Sequence, residues 1–408
     1  MLLFSLMAGL AVVLTASSSD AQPSAPVPIE PIKVLSTDHS IDFPDEVVLT
    51  VEAESQSEIT EVTLYYRLGN RTIRVYGYPD FEPSTRVSAD FVIDTDGGSF
   101  LPSGVDITYH YVIKDAEGNT FQSPDFSLEY KDPAYEWHRY RHGVIEVLWH
   151  DRPRDTVVAV AGSVSERLES VQGLLGLTDV GPMKAVIVNG SREARRSFPV
   201  VSGTATTSHL YGGFAFGDLD VFVLGGLDVD GMVHEMTHLL IDEALSSPWA
   251  RIPPWLNEGL AMYFESGPRG RDAIVARAAR SDGLIPLRNM ERIPGRPSDV
   301  RLFYAESWSL VNHMMTTHGE RRMAELLAAL ANGDGIRKAV IGVYGTTLEG
   351  LEEEWKAGIP GVSTLVPTPN PGVWGTSAII TGAVAIAIAA VVIRWVRNAI
   401  SPHEGPSD

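Results

Sequence analysis

The chain has 408 residues, and its 52 acidic side chains outnumber its 32 basic ones, so the formal net charge at pH 7 is −20. That length predicts two domains or three small ones. A hydrophobic content of 44% excludes wholesale disorder. The acidic balance argues against nucleic acid as a partner, because binding to phosphates needs a basic face. The absence of cysteine excludes a disulfide scaffold, a thiolate metal site and a cysteine nucleophile.

The first 21 residues have the pattern of a signal peptide. An apolar run of about fifteen residues is too short to span a bilayer but suits the core of such a signal. Ser19 and Ala21 are small residues at the positions that precede a cleavage site, so we predict cleavage after Ala21. A flexible, Pro- and Ser-rich linker follows over residues 22–30. Because no basic residue precedes the apolar run, an uncleaved anchor or a misassigned start stays open.

Residues 31–132 carry short strands of alternating polarity, which predict an all-β sandwich. Turn residues separate the strands, and residues 115–119 have the composition of a hairpin turn. The predicted strands are residues 47–51, 62–66, 87–93 and 107–113. This stretch resembles an immunoglobulin-like or fibronectin type III module, a generic resemblance that implies no particular ligand.

The hydrophobic period changes after residue 132, and strands give way to helices. Together the two kinds of element predict an α+β domain over residues 136–359. The predicted strands are residues 144–149, 184–188 and 220–224, and the predicted helices are residues 157–175, 231–246, 254–266, 271–281, 299–318 and 320–332.

The C-terminal region predicts a membrane anchor. A Pro-rich stalk over residues 360–375 precedes an uncharged apolar run, which predicts a transmembrane helix over residues 376–396. Arg394 and Arg397 follow the run, so the positive-inside rule puts residues 397–408 in the cytoplasm and everything before the helix outside it. A buried core helix is the alternative.

The chain contains a His-Glu-x-x-His pattern that begins at His234. On a helix, His234 and His238 lie on one face and can present two imidazoles to one cation. Glu235 points away from that face but can reach a water molecule at the cation without being a ligand. Asp228 or Asp230 can cap the start of the helix. The alternative is a solvent-facing helix with incidental histidines.

The third ligand decides the class of site, since catalytic zinc takes three protein ligands and keeps one open position. In a metzincin, a glycine and a third histidine would follow His238, whereas Ile241 and Ala244 stand there. Instead, Asn257 and Glu258 begin a pattern on the next predicted helix, and Glu258 follows His238 by twenty residues.

At these motifs the sequence resembles the gluzincin metallopeptidases, the thermolysin-like and M1-aminopeptidase-like group of the peptidase MA type. The resemblance covers residues 136–359 and is most specific at the two motifs. It implies a zincin-like fold and a zinc ion held by His234, His238 and Glu258. Glu235 is then the general base that takes a proton from a zinc-activated water.

A second resemblance concerns the transition state. Residues 303–311 resemble the M1-type segment whose leading tyrosine hydrogen-bonds the oxyanion, which implies that Tyr304 is a transition-state stabiliser. A core tyrosine that packs beside Trp308 is the alternative. In a thermolysin-like arrangement, His313 or His318 would donate instead.

Two positions depart from the family pattern. Met262 stands where thermolysin-like relatives have an aspartate that orients a ligand, so Asp242 is either a substitute for that aspartate or an exposed helix carboxylate. The segment Gly212–Gly217 has no carboxylate to hold a substrate amine, as the M1 aminopeptidases have. It can still be an edge strand that pairs with an extended peptide.

These observations predict a multidomain, membrane-anchored, extracytoplasmic zinc peptidase, an endopeptidase that acts on a peptide or protein substrate. Two alternatives stay open: a binding or adhesion membrane protein that retains the zinc site without turnover, and a zinc hydrolase of a non-peptide substrate. The sequence leaves the oligomeric state undetermined.

Overall fold

The computed structural model describes residues 31–95, 100–199 and 212–360. Its first region is all β. The strands of this region are β1 (Ile32–Asp42), β2 (Glu46–Leu68), β3 (Val75–Gly77), β4 (Ser84–Asp94), β5 (Asp106–Asp115), β6 (Thr120–Gln122) and β7 (Phe126–Glu129).

The 23-residue strand β2 organises this region. Its first half pairs with β1 and β4 and its second half with β3 and β5, so the seven antiparallel strands join in one hydrogen-bonded sheet. Alternate side chains in the first half, those of Val47, Leu49 and Val51, are fully buried, as a half-buried strand requires.

The sequence predicted two strands where β2 runs without a break. The polar residues between them resemble a turn, but the chain stays extended there and shifts register between Glu54 and Ile59, as at a β-bulge. The β-rich character of the region is confirmed. The strand order does not by itself show an immunoglobulin-like or fibronectin-like module, which stays a prediction.

The second region contains a five-stranded sheet and all of the described helices. The strand order is β11-β12-β10-β9-β8, with β9, β10 and β12 parallel and an antiparallel strand at each edge. The strands are β8 (His138–His142), β9 (Ile145–Trp149), β10 (Met183–Ile187), β11 (Gly213–Phe216) and β12 (Val221–Leu224). The sequence did not predict β8, because its His-Arg-Tyr-Arg-His run lacks apolar alternation.

Helices cover one face of this sheet and build a separate bundle after it. The described helices are α1 (Arg154–Leu175), α2 (Ser191–Ala194), α3 (Val229–Ala244), α4 (Pro254–Tyr263), α5 (Arg271–Arg280), α6 (Pro297–His318), α7 (Glu320–Ala331), α8 (Ile336–Tyr344) and α9 (Leu348–Gly358). Short 3-10 turns occupy Arg195–Ser197, Gly217–Leu219 and Leu287–Asn289. Helix α1 connects β9 to its parallel neighbour β10, as a parallel pair requires.

The two regions share one continuous apolar core. Val186 of β10 and Val221 of β12 belong to the same cluster of buried residues as Val47 of β2. Lys184 of β10 reaches across, and its Nζ lies 2.8 Å from carboxylate oxygens of both Asp106 and Glu129. The β-rich region is therefore packed firmly against the sheet that carries the helices.

The predicted signal peptide (1–21), linker (22–30), transmembrane helix (376–396) and tail (397–408), and all but the first residue of the stalk (360–375), lie outside the described residues. Within the described residues, no helix is both long enough and apolar enough to cross a membrane. This finding contradicts the predicted fold class with one transmembrane helix, the membrane as a partner, and the single-pass location with an extracytoplasmic bulk. We withdraw these three predictions.

Candidate active site

Helix α3 carries the His-Glu-x-x-His pattern and is anchored at its start by Asp228. The side chain of Asp228 accepts a hydrogen bond from the backbone N–H of Gly231 at 2.8 Å, which satisfies a donor in the first turn. The apolar residues between and beside the histidines, including Val233, Met236 and Leu240, are fully buried against the sheet. The buried face holds the helix in place, so the histidines are presented from a rigid element.

The imidazoles of His234 and His238 meet the carboxylate of Glu258 from α4. The Nε2 atoms of the two histidines are 3.2 Å apart. Oε2 of Glu258 lies 3.5 Å from Nε2 of His234 and 3.6 Å from Nε2 of His238. Ligand atoms at about 2.0–2.2 Å from a tetrahedral ion are separated by about 3.3–3.6 Å. The triangle of donor atoms therefore has the dimensions that a tetrahedral cation requires.

The other ring nitrogen of each histidine is also held. Nδ1 of His234 lies 2.8 Å from Oε1 of Glu265, and Nδ1 of His238 lies 3.0 Å from Oδ1 of Asn257. If both Nδ1 atoms carry the proton and donate it, both Nε2 lone pairs are directed at the shared position beside Glu258. Such partners fix the tautomer and the orientation of metal-binding imidazoles.

Glu265 is in turn fixed by arginines. Arg271 pairs with its Oε2, and Arg269 lies 3.9 Å from the same oxygen. Arg269 also pairs with Asp230 of α3, whose carboxylate accepts hydrogen bonds from the N–H and hydroxyl of Ser266. Asp230 thus ties the segment after α4 to α3 instead of capping α3. The segment after α4 is locked beside the histidines.

The electrostatics of the site favour positive charge. Burial opposes a charge on His234, but the carboxylates of Glu258 and Glu265 outweigh it and raise the pKa of the imidazole. Burial also opposes the charge of Glu258, yet His238 and His234 lower the pKa of that carboxyl to about 2. The carboxylates that raise the pKa of both imidazoles can equally stabilise a divalent cation at this position.

Glu235 lies buried beside this cluster, between α3 and the edge strand β11. Its side chain is close enough to Gly213 that a Cβ atom there would lie 2.6 Å from Oε1. Burial raises the pKa of the Glu235 carboxyl, while the neighbouring imidazoles of His234 and His238 lower it. The carboxylate therefore lies next to the histidine cluster without belonging to the triangle of donor atoms.

The position predicted for an edge strand is occupied by β11, which pairs with β12 at the end of the sheet.

Asp242, one helical turn beyond His238, is exposed. It lines an open cavity of about 590 Å³ with Phe216, Gly217 and Glu243. Its carboxylate crowds Gly217, where a Cβ atom would overlap Oδ2. Asp242 has no described hydrogen bond to either imidazole; Glu265 and Asn257 make those bonds.

No motif in the sequence assigned a role to either supporting residue, Glu265 or Asn257. Asn257 had a local signal, because it precedes Glu258 within the motif. Glu265 follows Glu258 by seven residues, which is two helical turns, but it comes just after α4 ends. Only the tertiary fold shows that the Glu265 side chain contacts His234.

Tyr304 lies on α6, half-buried against the apolar bundle. Its ring contacts that of Phe303, with centroids 5.6 Å apart. One turn further along α6, the carbonyl oxygen of Ser307 approaches Gly259 so closely that a Cβ there would lie 2.5 Å away. Tyr304 is thus on the helix that packs against α4 next to Glu258. Its part in catalysis stays a prediction.

His313 and His318, the alternative donors, lie near the C-terminal end of α6. Both contact Glu354 of α9. These three residues form a second group that has no member in common with His234, His238 and Glu258.

Comparison with known proteins agrees with the geometry at the level of family. The model of the peptidase MA superfamily matches residues 175–361. A search of curated proteins finds no match.

The similarities of this chain to solved structures are weak. An aminopeptidase N family protein from Idiomarina loihiensis is 10% identical, over 78% of this chain and 72% of its own, with a TM-score of 0.34. A family 56 carbohydrate-binding module, described as a β-1,3-glucan binding domain, is 14% identical over 23% of this chain and 96% of its own, with a TM-score of 0.17. The family match supports a peptidase MA-like domain and a peptidase-like hydrolase, and the His/Glu groups are candidate metal sites.

Proposed function

We propose that the peptidase MA-like domain over residues 175–361 is a zinc peptidase of the gluzincin type that cleaves within peptide chains. The observation that carries the proposal is the triangle of donor atoms from His234, His238 and Glu258, with edges of 3.2–3.6 Å. Two nitrogens and one carboxylate oxygen are ligands that zinc accepts, and three protein ligands leave a position for substrate or water. The zinc itself would supply a Lewis acid for the scissile carbonyl.

Glu235 supplies the base in this proposal. Its carboxylate lies beside the cluster, buried, with its pKa raised by burial. It takes a proton from the attacking water and passes that proton to the nitrogen of the leaving amine. Its burial matters because exclusion of water strengthens the interaction of the carboxylate with the charges that develop during the reaction.

The edge strand β11 supports a peptide as the substrate. In the described part of the chain β11 pairs only with β12, so its other side offers backbone donors and acceptors to an extended peptide. Gly213 in β11 lies against Glu235, so a peptide on this edge would pass the base. We propose endopeptidase action because β11 carries no carboxylate that could hold a free amine.

Hydrolysis of a mixed peptide library by the full chain tests the proposal. Cleavage should stop when a chelator removes the metal and should return when zinc is restored. The positions of the cuts distinguish internal cleavage from removal of terminal residues. If a folded sample with about one zinc ion in the His234 site cleaved no peptide, a hydrolase of non-peptide substrates or a binding protein would replace the proposal.

A further inference from the structure

A second cluster of metal-binding side chains lies where the end of α6 meets α9. Oε1 of Glu354 lies 3.3 Å from Nε2 of His313 and 3.0 Å from Nε2 of His318. One donor atom from each residue lies within 4.8 Å of the other two. One carboxylate oxygen therefore faces two imidazoles, as Glu258 does in the candidate active site.

The geometry at His318 is unlike that of an ordinary ion pair. Its Nε2 is buried and has no hydrogen-bond partner among the described residues. The Glu354 oxygen, at 3.0 Å, is near enough to be a hydrogen-bond partner. Its direction from Nε2 must therefore be unsuitable for a hydrogen bond. A buried polar atom without a hydrogen bond is costly unless another group completes its surroundings.

His313 is placed so that its Nε2 can act as a ligand. Its Nδ1 lies 3.4 Å from the hydroxyl oxygen of Thr317, one turn further along α6. Nε2 lies within hydrogen-bond distance of Glu354, and if the proton is on Nδ1 and is donated to the Thr317 hydroxyl, the lone pair of Nε2 is directed at Glu354. The distances of 3.0 and 3.3 Å from Glu354 are close to the spacing of about 3.3–3.6 Å between ligands of a tetrahedral zinc ion.

The surrounding structure is rigid. Trp355, next to Glu354, is buried and donates a hydrogen bond from Nε1 to Ser309 Oγ of α6 at 3.0 Å. The ring of His318 meets the edge of Tyr344, with centroids 5.0 Å apart. Both helices are therefore fixed where the three donor atoms converge, and a site for an ion needs little rearrangement.

We propose that His313, His318 and Glu354 form a second zinc site, which joins α9 to α6. The donor set of two nitrogens and one oxygen suits zinc. The side chains of His313, His318 and Glu354 are 16%, 22% and 39% exposed, so the cluster lies close to the protein surface, where an ion can reach it. The proposal is independent of the proposed peptidase activity, because it involves none of the residues assigned to that activity.

The test measures zinc in a chain that lacks the first site. The variant His234→Ala/His238→Ala should bind about one zinc ion per chain in equilibrium dialysis, and the wild-type chain about two. Addition of His318→Ala to the double variant should abolish the remaining zinc. The matched control adds His142→Ala instead, at an exposed histidine of β8, and should retain it.

Thermal unfolding gives an independent readout. Zinc should raise the Tm of the double variant, because a ligand that binds only the folded state stabilises it, and should leave the Tm of the triple variant unchanged. Glu354→Gln, which keeps the shape of the side chain, replaces His318→Ala if the latter fails to fold. If the folded double variant bound no zinc, the cluster would be an ion pair only and the proposal would be overturned.

Discussion

The backbone of Gly213 lies so close to Glu235 that a Cβ atom at residue 213 would be 2.6 Å from Oε1 of the glutamate. The backbone of the edge strand can run this close only because residue 213 has no side chain. The same Cβ would also lie 2.8 Å from Cδ1 of Leu224, so the neighbouring strand leaves it no room to move away. The contact ties the strand proposed to hold the peptide to the carboxylate proposed to act as base.

Gly213→Ala should therefore lower activity by displacing Glu235 while the zinc stays bound. A displacement of about 1 Å can cost on the order of 10²-fold in rate. The control is Gly212→Ala, since a Cβ at Gly212 meets no atom within 4 Å. Steady-state hydrolysis and zinc content of both variants check the prediction. Equal activity of the two variants would contradict it.

Glu235→Gln should keep the zinc and lose turnover, because glutamine has nearly the same shape but cannot accept the proton. We expect kcat to fall by about 10²–10⁴-fold, the usual contribution of a general base. Peptide hydrolysis and metal analysis on the same sample provide the measurement. Turnover at the wild-type rate would refute the proposed mechanism.

Glu265→Gln should weaken zinc binding, because Glu265 holds Nδ1 of His234 at 2.8 Å. Loss of a charged partner of a ligand typically costs about 10–100-fold in metal affinity. Competition with a chelator measures the affinity. Asp272→Asn, at an exposed carboxylate on α5, removes the same charge and should leave the affinity within about twofold. An equal loss in both variants would point to net charge alone.

Tyr304→Phe tests the predicted transition-state stabiliser. If the hydroxyl hydrogen-bonds the oxyanion, kcat should fall by about 10²-fold or more with little change in KM. Zinc content should not change. A variant with wild-type kcat would leave Tyr304 as a core residue that packs beside Phe303.

Glu306 makes stability depend on pH in a direction that can be tested. Burial raises the pKa of this fully buried carboxyl to about 8 from its ordinary value of 4.5, although the N–H of Ile285 donates to it and opposes the shift. The folded state then holds a proton that the unfolded state releases. The contribution to stability is complete below about pH 4.5 and is lost as the pH rises through about 8.

Glu306→Gln removes this titration and keeps an oxygen that can accept from Ile285. The free energy of unfolding of the wild type should therefore fall relative to the variant by up to about 1.4 kcal/mol per pH unit across that window. Urea unfolding at several pH values measures the difference. Glu169→Gln, at an exposed carboxylate of α1, is the control and should follow the wild type. Parallel curves for wild type and Glu306→Gln would contradict the prediction.

Several elements were predictable because their signals are local. The helix that starts at Val229 follows from its cap and its apolar spacing, and the spacing of four places His234 and His238 on one face whatever the rest of the chain does. The edge strand at Gly213–Phe216 also lies where the sequence indicated. The continuous strand β2 was missed, since its polar middle looks like a turn until partners on both sides keep it extended.

The supporting contacts of the site were not predictable in the same way. Glu265 reaches His234 because Arg269 and Arg271 fix the segment after α4. No periodic pattern in the sequence indicates that this segment turns back toward α3. The cluster of His313 and His318 combines residues five apart, a spacing that does not repeat on one helix face, with Glu354 from another helix.

The sequence by itself determined the acidic, cysteine-free composition, the two helices that carry the motifs, and the pairing of His234 with His238, because helix formation and spacing depend on near neighbours. The tertiary structure alone decided which groups hold the imidazoles of His234 and His238, how closely Gly213 approaches Glu235, and that His313 and His318 meet Glu354. These are contacts between residues distant in the chain, and packing of the whole domain fixes their distances.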